Sequence, residues 1–315
     1  MILFKGDAKM YSKKNLLATV VLGLSMSLTS VAPAIASADD VSVQVNVQQN
    51  VQQNAKGSVN WEKGAEADVE AWGVGLPPVN MPAERAAALA LRAATVDAYR
   101  QLAEIIKGVQ VDSETTMRDL SVESDVVTAK VEALVQGARV VEKVVNKDGS
   151  YNVKVAVPLY GVKSVAAVVI PEANKNLLPS EASQITSGYI PSAELKATSF
   201  SYTGVVVDAA GLGLEGTFSP VIYDVNGRAI YGMRNIDKDF AISKGMVEYY
   251  NDLQTATVNS RAGSNPLVVK AVSVRGGANS VNPVNVVVSV EDGDKILYAN
   301  EKSGMLENKA VAFVK

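Results

Sequence analysis

The stretch from Pro82 to Lys107 constrains the fold most, because it runs without an interior glycine or a second proline and carries a regular apolar spacing. Ala87, Leu91, Ala94, Ala98, Leu102 and Ile105 recur at steps of three and four, which places them along one stripe of a helix. Pro82 suits a first helical turn, and Gly108 marks the stop. A stripe so rich in alanine lets a helix come close to its neighbour, so the segment predicts a long helix packed tightly against a sheet.

The flanking segments supply that sheet. Ala65, Ala67, Val69 and Ala71 alternate with Glu66, Asp68 and Glu70, the period of a half-buried strand, and Gly73, Gly75, Pro77 and Pro78 are expected to stop it. After the helix, Val109, Val111, Ser113 and Thr115 read as a strand, and residues 123–135 as a second helix closed by Gly137. Residues 138–145 and 151–157 are valine-rich strands joined by Asp148 and Gly149, a hairpin dipeptide. The expected class is α+β. Residues 61–161 form a β-α-β-α-β-β unit with two helices on a small sheet, and a mostly-β second domain follows.

Residues 162–187, an apolar run followed by Pro171 and Pro179, read as a connector. Residues 188–315 read as a β-rich domain of unassigned family. Strands are expected at 202–207, 220–223, 228–231, 267–274, 284–290 and 295–299, with one helix near 244–253. Asn226 with Gly227 and Asp292 with Gly293 are expected to turn two hairpins.

At the amino terminus Lys13 and Lys14 precede an apolar run over 16–31 and then Ala34, Ile35, Ala36, Ser37 and Ala38. This is the layout of a signal peptide over residues 1–38, with cleavage expected after Ala38 or, nearly as well placed, after Ala36. The apolar run is shorter than the roughly 20 residues that span a bilayer. Met1 and Met10 both stay open as starts. Residues 39–60 form a leader rich in valine, glutamine and asparagine, including VSVQVNVQQNVQQN from Val41. No later segment is long and apolar enough to cross a membrane, so the expected location is the periplasm or the outer-membrane surface.

Composition narrows the chemistry. There is no cysteine, so no disulfide staples an exported fold and no amino-terminal thiol can take a lipid. Nor is there a histidine, which together removes the usual general base, the usual zinc ligands and the thiolate nucleophile. Thirty basic against 33 acidic side chains, a net charge of −3, argue against a nucleic-acid surface. No catalytic residue, cofactor or metal ligand is expected.

Several motifs carry a functional and a structural reading. Gly211, Gly213 and Gly216 spell G-x-G-x-x-G after a strand, but Thr217 to Ile222 read as another strand rather than the helix that would receive a pyrophosphate. Asp208, Asp224, Asp237 and Asp239 could form a carboxylate cluster, and each also suits a turn. Arg85, Arg92, Arg100 and Lys107 follow one face of the long helix among Glu84, Asp97 and Glu104, with Arg100 and Glu104 spaced as a helical ion pair. Trp61 and Trp72 flank the first strand as partner anchors or core residues.

One run of residues is more specific. Gly75, Pro77, Pro78, then Arg92, Ala93, Ala94, Asp97, Ala98, Tyr99, Arg100, Leu102, Ala103 and Glu104, then Gly108, Val109 and Val111, resemble the domain shared by LPP-type outer-membrane lipoproteins and the amino-terminal part of flagellar assembly protein T. Gly137, Ala138 and the strand from Tyr151 continue the likeness through residues 61–161. The resemblance implies an α+β module of outer-membrane lipoproteins and of a ring around the flagellar motor, with no catalytic residues to carry over. The chain lacks the lipoproteins' cysteine and matches nothing of the flagellar protein's carboxy-terminal half.

The expected function is therefore a non-enzymatic envelope interaction or assembly module, linked by the resemblance to flagellar or cell-surface structures. It would bind protein partners and no nucleic acid, and a homo-oligomer stays open. Two rivals are an envelope hydrolase built on Asp208, Asp237 and Asp239, and a small-ligand carrier with an apolar cavity in the β domain.

Overall fold

A computed structural model describes residues 56–176, 191–197, 201–233, 236–277 and 280–315. Residues 1–38, expected to be a signal peptide, residues 39–55 of the leader, residues 177–187 of the expected connector and residues 188–190 of the expected second domain lie outside them.

Strands β1 (Gly57–Asn60), β2 (Asp68–Gly75), β3 (Arg139–Val145) and β4 (Tyr151–Pro158) form an antiparallel sheet in the order β1-β2-β4-β3. The last residues of the leader thus supply an edge strand, and a 3-10 turn over Trp61–Glu66 links it to β2. Helix α1 (Ala83–Lys107) lies across β2 and β4. Its buried row is Ala86, Ala90, Ala94, Ala98, Leu102 and Ile106, while the expected Ala87, Leu91 and Ile105 sit half-buried beside it.

The cause lies in β2, which continues through Gly73 and Gly75 instead of stopping at them. A Cβ on Gly73 would overlap the Ala94 carbonyl and the Ala98 amide, and one on Gly75 the Ala90 carbonyl. Backbone meets backbone there, which draws the four-step alanine row onto the strand.

Residues 109–116 are a loop rather than a strand. The Asp112 carboxylate accepts the amides of Glu114 and Thr115 at 2.7 and 2.8 Å and turns the chain, leaving one bridge between Gln110 and Thr116. Helix α2 (Met117–Glu123), absent from the expected elements, begins at a capping box: the Thr116 hydroxyl accepts the Asp119 amide, and the Asp119 carboxylate accepts the Thr116 amide. Helix α3 (Asp125–Gln136) ends at Gly137 as expected, and the β3–β4 hairpin turns at Asp148 and Gly149, whose φ is 79°.

In the segment read as a connector, helix α4 (Val165–Asn176) buries Val165, Ala166, Val168, Val169 and Ile170 against α3 and a later helix. A short α5 (Ala193–Ala197) follows.

The described residues of 204–315 contain eight strands and three α-helices. Strands β5 (Gly204–Asp208), β8 (Glu248–Tyr250), β9 (Pro266–Lys270) and β12 (Val311–Val314) make a wholly parallel sheet in the order β8-β12-β5-β9. Strands β6 (Ile222–Asp224), β7 (Ala229–Tyr231), β10 (Ser273–Arg275) and β11 (Asn285–Val288) make a mixed sheet, β10-β11-β6-β7. The α+β class holds, with a strand-rich second part.

Three details there differ from expectation. Residues 295–299 belong to helix α8 (Val290–Ser303), because the Ser289 hydroxyl accepts the Asp292 amide and starts a helix where Asp292 and Gly293 had read as a turn. The helix expected at 244–253 is instead β8 flanked by α6 (Lys238–Lys244) and α7 (Leu253–Asn259). The run 267–274 splits between the two sheets as β9 and β10. Asn226 and Gly227 do turn the β6–β7 hairpin, with the Asp224 amide donating to the Arg228 carbonyl at 2.9 Å.

The two parts share one hydrophobic cluster running from Trp61 to Phe313. At their junction the Trp61 ring lies edge-on to Phe218, Tyr249 and Tyr160, with centroids at 5.0, 5.7 and 6.5 Å. Burial pushes the Tyr160 and Tyr249 hydroxyls far up in pKa, which keeps both neutral.

Candidate functional site

Among the described residues, β3 is an edge of the first sheet whose side chains are almost all exposed. β3 pairs with β4 alone, and no helix packs over it to any extent. Along its length only Val144 is even half-buried. Val141 and Val145 are 46% and 60% exposed, high for valines in a strand. A bulge between Val140 and Glu142 twists the strand's first half. On either side of the bulge the register sets the faces: Val140, Lys143 and Val145 stand opposite Val155, Val153 and Tyr151, towards the helices, while Glu142 and Val144 sit opposite Lys154 and Asn152 on the outer side. α1 ends its coverage at β4, so Val140 and Val145, with Lys143 between them, meet solvent on this face.

The residues carrying the lipoprotein-like pattern mostly build the seam between α1 and β2. The Asp97 carboxylate accepts the Val74 amide at 3.0 Å and the Arg100 guanidinium at 2.7 Å, tying the helix to the end of β2. Arg100 therefore pairs with Asp97 rather than with Glu104, and Glu104 takes Lys107 at 3.1 Å and Arg118 at 3.8 Å. Gly75 lies under Ala90, Tyr99 is half-buried against the core, and the Gly108 amide caps α1. Pro77 packs towards Gly149 of the hairpin turn, whereas Pro78 and Arg92 point into solvent. A cavity of about 560 Å³ opens where α1, α2 and α3 meet, walled by Ala103, Val122, Val131 and Val135 and rimmed by Lys107 and Arg118.

The four aspartates take separate local tasks. Asp208 accepts the Ala210 amide at the end of β5, and Asp237 caps α6 by accepting the Phe240 amide. Asp239 is exposed in the first turn of α6. Asp224 is buried and accepts the Arg228 guanidinium at 2.9 Å, while a second nitrogen of Arg228 reaches Asp294 at 2.6 Å. Among the described residues no three acidic side chains gather at metal-binding range. Gly211 and Gly213, at φ 77° and 75°, form a turn, and Gly216 admits the Trp61 indole where any side chain would collide with it. Trp61 is thus a core residue. Trp72 is half-buried on the outer sheet face under the Lys154 ammonium, 5.6 Å from its centroid.

The boundary at β5 is also where a family begins. Residues 204–315 match a family model described as Treponema pallidum Tp0624, second domain. The match covers all of both carboxy-terminal sheets and none of the first. No curated protein matches the chain. No described helix is long and apolar enough to cross a membrane.

Proposed function

We propose that this chain is a non-catalytic, exported envelope protein, periplasmic or held at the outer membrane, that binds protein partners through the free edge of its amino-terminal sheet. The observation that carries the reading is β3: a seven-residue valine strand, exposed on both faces and paired on one side only. Such an edge offers main-chain donors and acceptors for strand addition, and alternate side chains for selectivity. The signal-peptide layout supports export, and the resemblance of residues 61–161 to envelope lipoproteins and flagellar assembly protein T supports an assembly role at the cell surface. The separation of Asp208, Asp237 and Asp239 weighs against the carboxylate site of the hydrolase alternative.

The test is site-specific photocrosslinking in whole cells, with the probe at Val141 or at the still more exposed Val162, followed by envelope fractionation and mass spectrometry. A discrete envelope adduct from Val141 and none from Val162 is expected. The same background from both positions would sink the reading.

A further inference from the structure

The geometry points to a specific occupant for this edge: residues 41–47 in the leader of one copy add as a fifth strand beside β3 of a second copy, joining molecules head to tail. The inference rests on the reading above and goes further by naming the partner.

Pairing of β3 with another β3 is disfavoured by its own charges. In an antiparallel pair, side chains directly opposite share a face of the sheet, so a two-fold axis must pass through a residue. Full overlap of residues 139–145 puts Glu142 against Glu142, and moving the axis by one residue puts Lys143 against Lys143. Like charges directly opposite destabilise a pair.

The leader has no such conflict. Val41, Val43, Val45 and Val47 alternate with Ser42, Gln44 and Asn46, and no charge occurs from Val41 to Ala55. An added strand of this kind presents a valine face and an amide and hydroxyl face. Its valines would extend the side on which Val140 and Val145 are exposed beside Val155 and Tyr151, and an uncharged strand brings no like charge against the Lys143 that stands between them. Residues 41–47 also equal β3 in length.

The donor is a neighbour because of where the leader enters. Lys56 joins β1, and the order β1-β2-β4-β3 sets β1 three strand spacings from β3, roughly 14 Å. A chain's own leader would have to double back across the whole sheet to its far edge, whereas short connections normally join adjacent elements. Donation to the next copy needs no crossing. The contact is heterologous, so it closes into a ring or continues as a filament.

Because the chain contains no cysteine, single thiols can be placed without background. Full-length exported chains carrying Val43→Cys and Val141→Cys, on copies of different tag size, are mixed and oxidised. The expected result is a mixed-size disulfide dimer, absent when Val162→Cys replaces Val141→Cys. Deleting residues 41–55 is expected to reduce the mass measured by light scattering to that of one chain, with the circular dichroism of the folded core unchanged. Dimers formed only between two Val141→Cys chains would overturn the inference, as would a Val43→Cys/Val141→Cys double variant that closes within one chain. An envelope partner crosslinked at Val141 in cells, with no leader disulfide, overturns this inference alone. Absence of both removes the edge-binding reading as well.

Discussion

The first sheet and the carboxy-terminal sheets solve the same problem differently. The first has one face on α1 and the other towards solvent, and it leaves β3 uncovered. Much of the later sheets is hidden on both faces: β6, β7, β11 and β12 are buried throughout, while the edge strands β9 and β10 keep exposed positions. Parallel pairing accounts for much of that contrast, since the crossover segments joining parallel strands cover the faces they cross. The difference teaches that one part of the molecule is built to be filled in and the other to present a surface. The Trp61 cluster fastens the two together.

The sharpest way to break this picture is at the junction. Trp61→Ala removes the ring that Phe218, Tyr249 and Tyr160 surround, and a loss of about 3–5 kcal/mol is expected in urea melts. The same variant should split a single unfolding transition into two, the amino-terminal sheet melting apart from the rest. A single unshifted transition would mean that the shared cluster does not couple the parts.

Next comes the seat of α1. Gly73→Val places a side chain where the Ala94 carbonyl and Ala98 amide already sit, and about 1–3 kcal/mol of overpacking is expected. Valine favours strands, so a loss measured by urea titration reports the clash and not strand propensity.

A smaller effect is expected at the capping box. Asp119→Ala should cost about 1 kcal/mol at neutral pH. Hydrogen bonds from the Thr116 hydroxyl and amide hold the Asp119 carboxyl below its ordinary pKa. Its contribution is therefore present above the unfolded-state pKa and lost as pH falls through the folded value, so wild type and variant should converge in acid melts. Asp112 has the opposite sign, because burial raises its pKa. The native state there holds its proton longer, and stability falls as pH rises from the unfolded pKa to the folded one. Asp112→Asn, which keeps an oxygen for the Glu114 and Thr115 amides, should flatten that slope.

The smallest effect on stability is expected at the edge. Val144→Lys on β3 should change the melting free energy by no more than about 0.5 kcal/mol while abolishing the Val141 crosslink.

The same contrast explains what could be read beforehand. One-face burial leaves alternation in β2 and a turn dipeptide before β4, and both were legible. The alanine helix was legible too, but its buried row was misplaced by one position at three residues, because Gly73 and Gly75 look like strand breakers unless the helix above them is known. In the carboxy-terminal part, strands buried on both faces have no period. β8 and β12 are three and four residues long, too short to stand out. Asp292 and Gly293 misled because Ser289 lies three residues before Asp292 and caps a helix. The valines of β3 were visible as a strand, but their exposure depends on where α1 stops, which no local pattern records. Gly216 meets Trp61 from more than a hundred residues away in the chain, and nothing local announces the contact.

The placement of β12 sets an order of events during biogenesis. It fills the middle of its sheet, between β8 and β5, yet it is the latest of the four strands in the sequence. β5 leaves the ribosome about a hundred residues ahead of the strand it must flank. Until residues 311–314 arrive, β5 and β8 have no common neighbour, and the edges they will turn to β12 stay unpaired. A layout of this kind keeps the parallel sheet open during synthesis and lets it close only once β12 has been made.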